Sequence, residues 1–359
     1  LEKMPQVGGN SLISGAEMNV ARNWVQPKLG ITDDSPELHA KDTYLGGDKK
    51  GDMNVINVMT RNALAGAEWC RDYLGIRFEP DNLFFFGGHS RKRALIPVGH
   101  TGTEFITKFL AKADELGIPV ITNMKAEELL KDKSGRVVGV KATMNGTEYT
   151  FNAKGGVVLA TGGFGANPAM VKKYNPKIDE RFKTTDAPGT TGEVLYMAQR
   201  AGAELVNMQY IQTYPICDPI SGVIELIADA RFDGAIMLNQ EGKRFVEELG
   251  RRDVLSEAIL DQTGGYCWVL WNDKIGAVSN TVKEHPTEYD AFTKQGIMTT
   301  CPDLKCIADF TKIPYDSLKG TVDRVTSMAG KGNDKDFHHR AGLVDMSQGQ
   351  YYVIKAVPS

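Results

Sequence analysis

The sequence predicts a two-domain α/β protein, on the evidence of three patterns. Residues 53–74 and 102–116 carry apolar side chains at helical spacing, and a glycine follows each segment. A short strand at 119–121, directly after the second helix, is typical of a βαβ unit. Beyond about residue 205, glycine-rich loops give way to strands that alternate with polar helices, which indicates a second domain.

Turn residues delimit the elements that follow in the first domain. Residues 136–143 alternate polar and apolar side chains, and the pair Asn145-Gly146 favours a type I′ turn. A hairpin is therefore predicted, with 147–152 as its second strand. The apolar run at 157–160 predicts a buried strand, because it is short and ends in a glycine-rich turn.

The segment 231–256 is the most informative part of the second domain. A strand at 235–238 precedes a turn at 239–242, and a charged run then ends in Arg251-Arg252-Asp253, where a helix is predicted to begin. An arginine pair beside a helix start and near carboxylates suits the binding or protonation of an anion. The alternative is a solvated charged turn.

Composition excludes several function classes. The net charge of −3 gives no indication of a nucleic-acid partner, and no apolar run approaches the roughly 18 residues of a membrane span. The five cysteines form no metal-binding spacing, so we expect buried structural thiols. Leu1 is not an initiator methionine and a strand is predicted at 350–356, so we expect an internal piece of a longer protein.

Five motifs in order resemble the soluble fumarate reductase and flavocytochrome c flavoproteins. They lie at 1–11, 158–164, 188–193, 208–212, and 242–246 with Arg252-Asp253. The resemblance implies an FAD-binding dinucleotide fold, incomplete at both ends, with an inserted smaller α+β capping domain. The implied limits are 1–214 for the FAD-binding domain, without its glycine-rich turn, and 215–345 for the capping domain. Residues 346–359 would return to the FAD-binding domain and be truncated there.

The resemblance implies FAD as the cofactor. A glutamate at the end of the second strand would accept hydrogen bonds from the adenosine ribose, and the following loops would offer backbone and short side chains to the flavin. The residues implied to bind FAD are Glu2, Gly9, Asn10, Ser11, Gly15, Ala16, Ala160, Thr161, Gly162 and Glu193. The family usually has Asp where Glu193 stands. Electrons would come from a haem or FMN carrier that this chain does not encode, and the family alone suggests an extracytoplasmic or periplasmic location.

Two arginines correspond to the catalytic pair of the family. Arg252 matches the arginine that protonates the substrate α carbon after flavin N5 has delivered hydride to the β carbon, and Arg231 matches the second arginine of the relay. Because the pKa of arginine exceeds about 12, Arg252 can act only if a relay returns its proton. The family's relay glutamate is replaced by Ala228, with Asp229 beside it.

Three residues indicate which acid is reduced. Tyr214 replaces the histidine that fumarate reductases carry in a Gln-x-His-Pro turn, and with Asp229 and Glu17 it resembles the set that marks urocanate reductases. The implied reaction is two-electron reduction of urocanate to imidazole propionate. Open alternatives are another 2-enoate (fumarate, methacrylate or an aryl acrylate) or a non-catalytic flavin-binding fragment. Taken singly, Tyr214 could pack in a core, Asp229 could cap a turn and Glu17 could be loop surface.

Overall fold

A computed structural model describes residues 1–359 and divides the chain into two compact units. The first comprises Leu1–Lys177 and Asp186–Tyr210, and the second comprises Ile178–Thr185 and Ile211–Ser359. The domain limits implied at 214 and 345 remain predictions, and in this structure residues 346–359 lie in the second unit. No helix combines the length and the apolar character that crossing a membrane requires.

The first unit contains two three-stranded antiparallel sheets and six helices. One sheet has the order β1–β3–β2, and the other has the order β4–β5–β6. The strands are β1 (Met18–Asn19), β2 (Phe78–Phe84), β3 (Ala94–Pro97), β4 (Lys125–Lys131), β5 (Val137–Met144) and β6 (Thr147–Asn152). The helices are α1 (Gly9–Ile13), α2 (Pro36–Gly46), α3 (Met53–Asp72), α4 (Thr103–Glu115), α5 (Pro168–Tyr174) and α6 (Glu193–Ala201), and Gln26–Leu29 forms a 3₁₀ turn.

The hairpin predicted around Asn145-Gly146 is confirmed. Strands β5 and β6 pair with Met144 opposite Thr147. The two turn residues have φ values of 51° and 77°. Left-handed backbone at both central positions is what a type I′ turn needs, and its twist matches that of the paired strands.

The two helices predicted from periodicity are confirmed as α3 and α4. The Asp52 side chain caps α3 by accepting a hydrogen bond from the Asn54 N–H at 2.8 Å. The buried face of α3 includes Ile56, Ala67 and Cys70. After α4 the chain turns at Gly117, whose φ of 65° lies in the left-handed region that glycine adopts readily.

The apolar run at 157–160 does not form the predicted buried strand. No strand lies between β6 and α5, and Val158 is 90% exposed. A fully buried strand requires a hydrogen-bonded neighbour and covered faces, and neither sheet of the first unit extends to this run. The predicted strand at 119–121 does not form either. The Ile121 carbonyl accepts one backbone hydrogen bond, from the Glu2 N–H at 2.8 Å.

Arg93 is a fully buried arginine that binds two buried carboxylates in the first unit. Its guanidinium donates to Asp34 at 2.8 and 3.0 Å and to Asp42 at 2.7 Å. Burial alone would raise the pKa of Asp34, but hydrogen bonds from Arg93 and Gln26 lower it below the usual value. The cluster therefore keeps its charges only as a complete set.

We expect Arg93→Met to destabilise the protein strongly. The substitution leaves two buried carboxylates without their cation, which typically costs about 3–5 kcal/mol of unfolding free energy. Urea unfolding measures the loss. Arg91→Met is the matched control, because the Arg91–Asp33 pair is exposed to solvent and its loss should change stability little. Equal stability of the two variants would contradict the assignment.

The second unit is built on one four-stranded antiparallel sheet of order β7–β8–β10–β9. The strands are β7 (Ile236–Leu238), β8 (Cys267–Asn272), β9 (Met298–Cys301) and β10 (Tyr351–Ala356). The helices are α7 (Arg252–Leu260), α8 (Asp273–Ser279), α9 (Thr281–Glu284), α10 (Pro286–Gln295), α11 (Leu304–Thr311) and α12 (Tyr315–Ala329). Leu226–Asp233 and Thr263–Gly265 are 3₁₀ helices. Strand β8 is buried at all six positions, so it forms the centre of this core.

One pair of cysteines departs from the prediction of free thiols. Cys301, which ends β9, forms a disulfide with Cys306 of α11, and their Cα atoms lie 5.6 Å apart. The Asp303 side chain caps α11 by accepting from the Cys306 N–H at 2.8 Å, and this tight turn brings the two residues together. Sequence spacing alone did not reveal that turn. The other three cysteines are buried thiols, as predicted.

Candidate active site

Tyr214 is the point at which three predicted site residues of the second unit meet. The Arg231 Nη2 atom donates to the Tyr214 hydroxyl at 3.3 Å, and the Arg252 guanidinium lies over the Tyr214 ring, 4.7 Å from its centroid. The Asp229 Oδ1 atom is 3.7 Å from Arg231 Nη2. Two cations, one carboxylate and one phenol therefore share a single site.

Two short elements hold these side chains. Asp229 and Arg231 belong to the 3₁₀ helix Leu226–Asp233, which ends at Gly234 with a φ of 113°. Arg252 is the first residue of α7. Its neighbour Arg251 bonds Asp253 at 2.6 and 2.8 Å on the exposed surface, and Arg252 itself donates to the Gln212 side chain at 2.7 Å.

The site keeps the Tyr214 phenol protonated. Burial raises the pKa of Tyr214 to about 12 and the Asp229 charge adds to this rise, while Arg231 and Arg252 oppose it. Arg231 is 3% exposed, and its guanidinium lies over the Phe232 ring at 4.4 Å and donates to the Glu248 carbonyl at 3.4 Å. Tyr214 can therefore donate a hydrogen bond at neutral pH.

A buried ionic network includes Glu248, the residue whose backbone carbonyl accepts a hydrogen bond from Arg231. Arg244 donates to both Glu248 carboxylate oxygens at 2.7 and 2.8 Å and to Asp334 at 2.8 Å. Burial alone would raise the pKa of Asp334, yet hydrogen bonds from Arg244 and from the His339 N–H hold it well below its usual value. The sequence motif around Arg244 did not indicate this role, because Asp334, its buried partner, lies 90 residues away along the chain and leaves no local signal.

Gln212 was also given no role from sequence. Its side chain accepts the hydrogen bond from Arg252, so it fixes the direction of that guanidinium. The signal available was its place two residues before Tyr214 in the conspicuous Gln-Thr-Tyr-Pro turn.

The residues predicted to bind FAD lie in the first unit. Gly9, Asn10 and Ser11, predicted as loop, instead begin the short helix α1. Asn10 binds the 186–187 segment, because its side-chain oxygen accepts from the Ala187 N–H at 2.6 Å. The Glu2 carboxylate accepts from the Met4 N–H at 2.7 Å. Gly15 and Ala16 follow α1, and Ala16 has a left-handed φ of 56°.

The remaining predicted FAD residues lie near the start of α6. Ala160, Thr161 and Gly162 lie in an exposed segment without regular secondary structure, and Gly162 has a φ of 74°. Burial alone would raise the pKa of Glu193, but hydrogen bonds from Thr191, from its own N–H and from Lys3 lower it to about 2. The carboxylate at this helix start is therefore held ionised.

Glu17, the third predicted substrate residue, belongs to the first unit. It lies directly before β1, partly buried, with its carboxylate beside Gly15. Its role toward the substrate stays a prediction.

Residues 1–359 match the protein family described as FAD binding domain. The chain belongs to this family. The chain is 40% identical over its whole length to the urocanate reductase of Eggerthella lenta, of which it covers 59%. It is 32% identical over its whole length to the cytochrome-type fumarate reductase of Shewanella frigidimarina, of which it covers 61%. The resemblance stated from the motifs is thus confirmed. The chain spans about three fifths of the length of these relatives.

Solved structures support the fold assignment. The chain superposes on the open conformation of a flavocytochrome c3 fumarate reductase with a TM-score of 0.77 and 28% identity, covering 99% of this chain and 61% of that one. A 3-ketosteroid Δ1-dehydrogenase from Sterolibacterium denitrificans gives a TM-score of 0.70 at 17% identity, with 99% and 82% covered, which indicates the shared fold alone. The predicted α/β class is therefore confirmed.

The glycines among the predicted FAD residues leave open space beside the backbone, as the binding of a dinucleotide requires. A Cβ atom added at Gly9 would meet nothing within 4 Å, and at Gly162 it would meet only the Thr190 methyl at 3.7 Å. Such open glycine backbone allows a phosphate or flavin ring to approach closely. The residues present therefore fit FAD, the cofactor of this family.

Proposed function

We propose that this protein reduces the double bond of urocanate to give imidazole propionate. The observation that carries the proposal is the convergence of Arg231, Arg252 and Asp229 on Tyr214. Cationic side chains suit the substrate carboxylate, and the carboxylate and phenol suit the ring nitrogens of an imidazole. The 40% identity to a urocanate reductase supports the same substrate.

The proposed residues divide substrate binding and proton transfer between them. FAD, when bound, supplies hydride to the β carbon of the substrate. Arg252 transfers a proton from its guanidinium to the α carbon, so one N–H bond breaks as a C–H bond forms. Gln212 holds that guanidinium in place. Arg231 orients the site and helps to return the proton. Asp229 and Tyr214 hold the imidazole, and Glu17 is proposed as the second acid that binds this ring.

Charge argues for an imidazole over a second carboxylate. Fumarate would bring two negative charges, and Asp229 would repel one of them with little screening in a partly closed site. The side chain of Asp229 is 23% exposed, so its charge is only partly solvated. A ring that bears an N–H is attracted by the same carboxylate. Electrons are proposed to come from a haem- or FMN-bearing donor.

A substrate panel tests the proposed function. FAD-loaded protein is assayed anaerobically with reduced methyl viologen as the electron donor, and urocanate, fumarate, methacrylate and an aryl acrylate as acceptors. We expect kcat/KM for urocanate to exceed that for fumarate by at least about tenfold, the effect of roughly 1.4 kcal/mol of selective binding. Equal rates would favour a general 2-enoate reductase. A flavin spectrum without turnover of any acid would indicate a non-catalytic flavin-binding protein.

A further inference from the structure

Glu288 is a partly exposed carboxyl that reaches the helix carrying Asp229 and Arg231. Its Oε2 atom accepts a hydrogen bond from the backbone N–H of Ile227 at 2.8 Å, although Glu288 belongs to α10, 61 residues further along the chain. Asp229 follows Ile227 by two residues. The partly exposed Glu288 carboxyl therefore lies beside the first turn of the 3₁₀ helix that carries Asp229 and Arg231.

The charged groups that face Glu288 are carboxyls. Burial raises the pKa of Glu288 to about 7, the N–H groups of Ile227 and Leu226 oppose the rise, and the Asp229 charge adds to it. Its other neighbour, Glu225, is fully buried, and neither of its carboxyl oxygens has a hydrogen-bond partner. Burial, with the charges of Asp218 and Glu288, raises the pKa of Glu225 well above its usual value.

These two carboxyls consequently behave differently near neutral pH. Glu225 stays protonated, because ionising it would leave a charge in the core without a partner. Glu288 exchanges its proton in the range where proton transfer to a neighbour is efficient, since its pKa of about 7 is close to the working pH.

Contacts continue from Asp229 to the proposed proton donor. Asp229 Oδ1 is 3.7 Å from Arg231 Nη2, and Arg231 donates to the Tyr214 hydroxyl at 3.3 Å. The Arg252 guanidinium lies over the ring of that tyrosine at 4.7 Å. Every reduction would remove one proton from Arg252, so a route from solvent must replace it.

We propose that Glu288 is the residue through which protons enter this site. The inference rests on the proposed function, because only enoate reduction consumes the proton. The Glu288 O–H bond breaks as an O–H bond forms on Asp229. The Asp229 O–H bond then breaks as an N–H bond forms on Arg231, while another Arg231 N–H bond breaks and its proton restores the N–H bond that Arg252 lost. The Glu288 carboxylate then takes a new proton from water. No electrons move in these steps.

Glu288→Gln separates this role from simple capping of the helix. Glutamine keeps an oxygen that accepts from the Ile227 N–H but carries no exchangeable acid proton. In the wild type, kcat for urocanate is expected to fall as pH rises through about 7, where Glu288 loses its proton. In the variant we expect kcat at pH 7 to be at least about tenfold lower and this fall to be absent.

Two further measurements make the test specific. Small acids such as formic acid should restore part of the rate in Glu288→Gln by carrying protons past the missing carboxyl. Reduction of the bound flavin by reduced viologen, followed without urocanate, should be unchanged, because it precedes proton transfer. Asp290→Asn is the matched control, since Asp290 is an exposed carboxylate on the same helix and should leave rate and pH profile unaltered.

The outcomes divide cleanly between the two proposals. Wild-type protein that reduces no 2-enoate would overturn the proposed function and this inference with it. Wild-type turnover with an unchanged rate and pH profile in Glu288→Gln would overturn the inference alone. A slow variant that keeps the wild-type pH profile and does not respond to small acids would also overturn it, and would assign Glu288 to helix capping.

Discussion

Replacing Arg252 with lysine is expected to lower kcat for urocanate by about 10²–10⁴-fold, the usual contribution of a positioned acid. Lysine keeps the charge but loses the planar fork that bonds Gln212 at 2.7 Å and lies over the Tyr214 ring. The proton would then be misplaced relative to the α carbon. Stopped-flow oxidation of the reduced flavin by urocanate measures the step directly.

Arg251→Lys is the control for this prediction. Arg251 precedes Arg252 in the chain, but its guanidinium bonds Asp253 on the exposed surface. We expect that variant to keep the wild-type rate. If both variants retained full activity, or if the Arg251 variant alone lost it, the assignment of the proton donor to Arg252 would be wrong.

Asp229→Asn is expected to reduce kcat/KM for urocanate by about 10- to 100-fold. Hydrogen bonds to a charged group contribute about 1.5–3 kcal/mol, and asparagine removes the charge while keeping the size of the side chain. The kcat/KM for fumarate should fall less than that for urocanate, because the carboxylate that repels its second acid group is gone, although the proposed proton route through Asp229 is lost for both acids. The measurement is the ratio of the two kcat/KM values.

The same experiment on Glu17 tests the second acid. Glu17→Gln should weaken urocanate reduction in the same direction, and the flavin absorbance of both variants should match that of the wild type. Loss of bound flavin in either variant would mean that the residue supports the cofactor site. A parallel fall in the urocanate and fumarate rates would show that it does not select between substrates.

Local signals in the sequence predicted much of the structure. The hairpin at Asn145-Gly146 and the helices α3 and α4 follow from turn chemistry and periodicity, which depend on neighbouring residues only. The helix start at Arg252 was predicted in the same way. The resemblance to FAD-dependent reductases came from five short motifs, and both the motifs and their order can be read directly from the sequence.

Predictions that needed a distant partner were less successful. The run at 157–160 has the composition of a buried strand but no neighbouring strand to pair with. The Cys301–Cys306 disulfide depends on a turn capped by Asp303, which the spacing of the cysteines did not indicate. A sequence pattern indicates which secondary structure or bond a segment is able to form. Whether it forms depends on partners that only the folded chain brings close.

The sequence by itself determined the α/β class, the family and the identity of the arginines and acids that the proposed chemistry requires. Only the tertiary structure placed Tyr214 between Arg231 and Arg252, put the Arg244–Glu248–Asp334 network behind Arg231, and brought Glu288 to the helix of Asp229. The physical reason is that burial and charge act through space. A pKa depends on neighbours that lie tens of residues away along the chain.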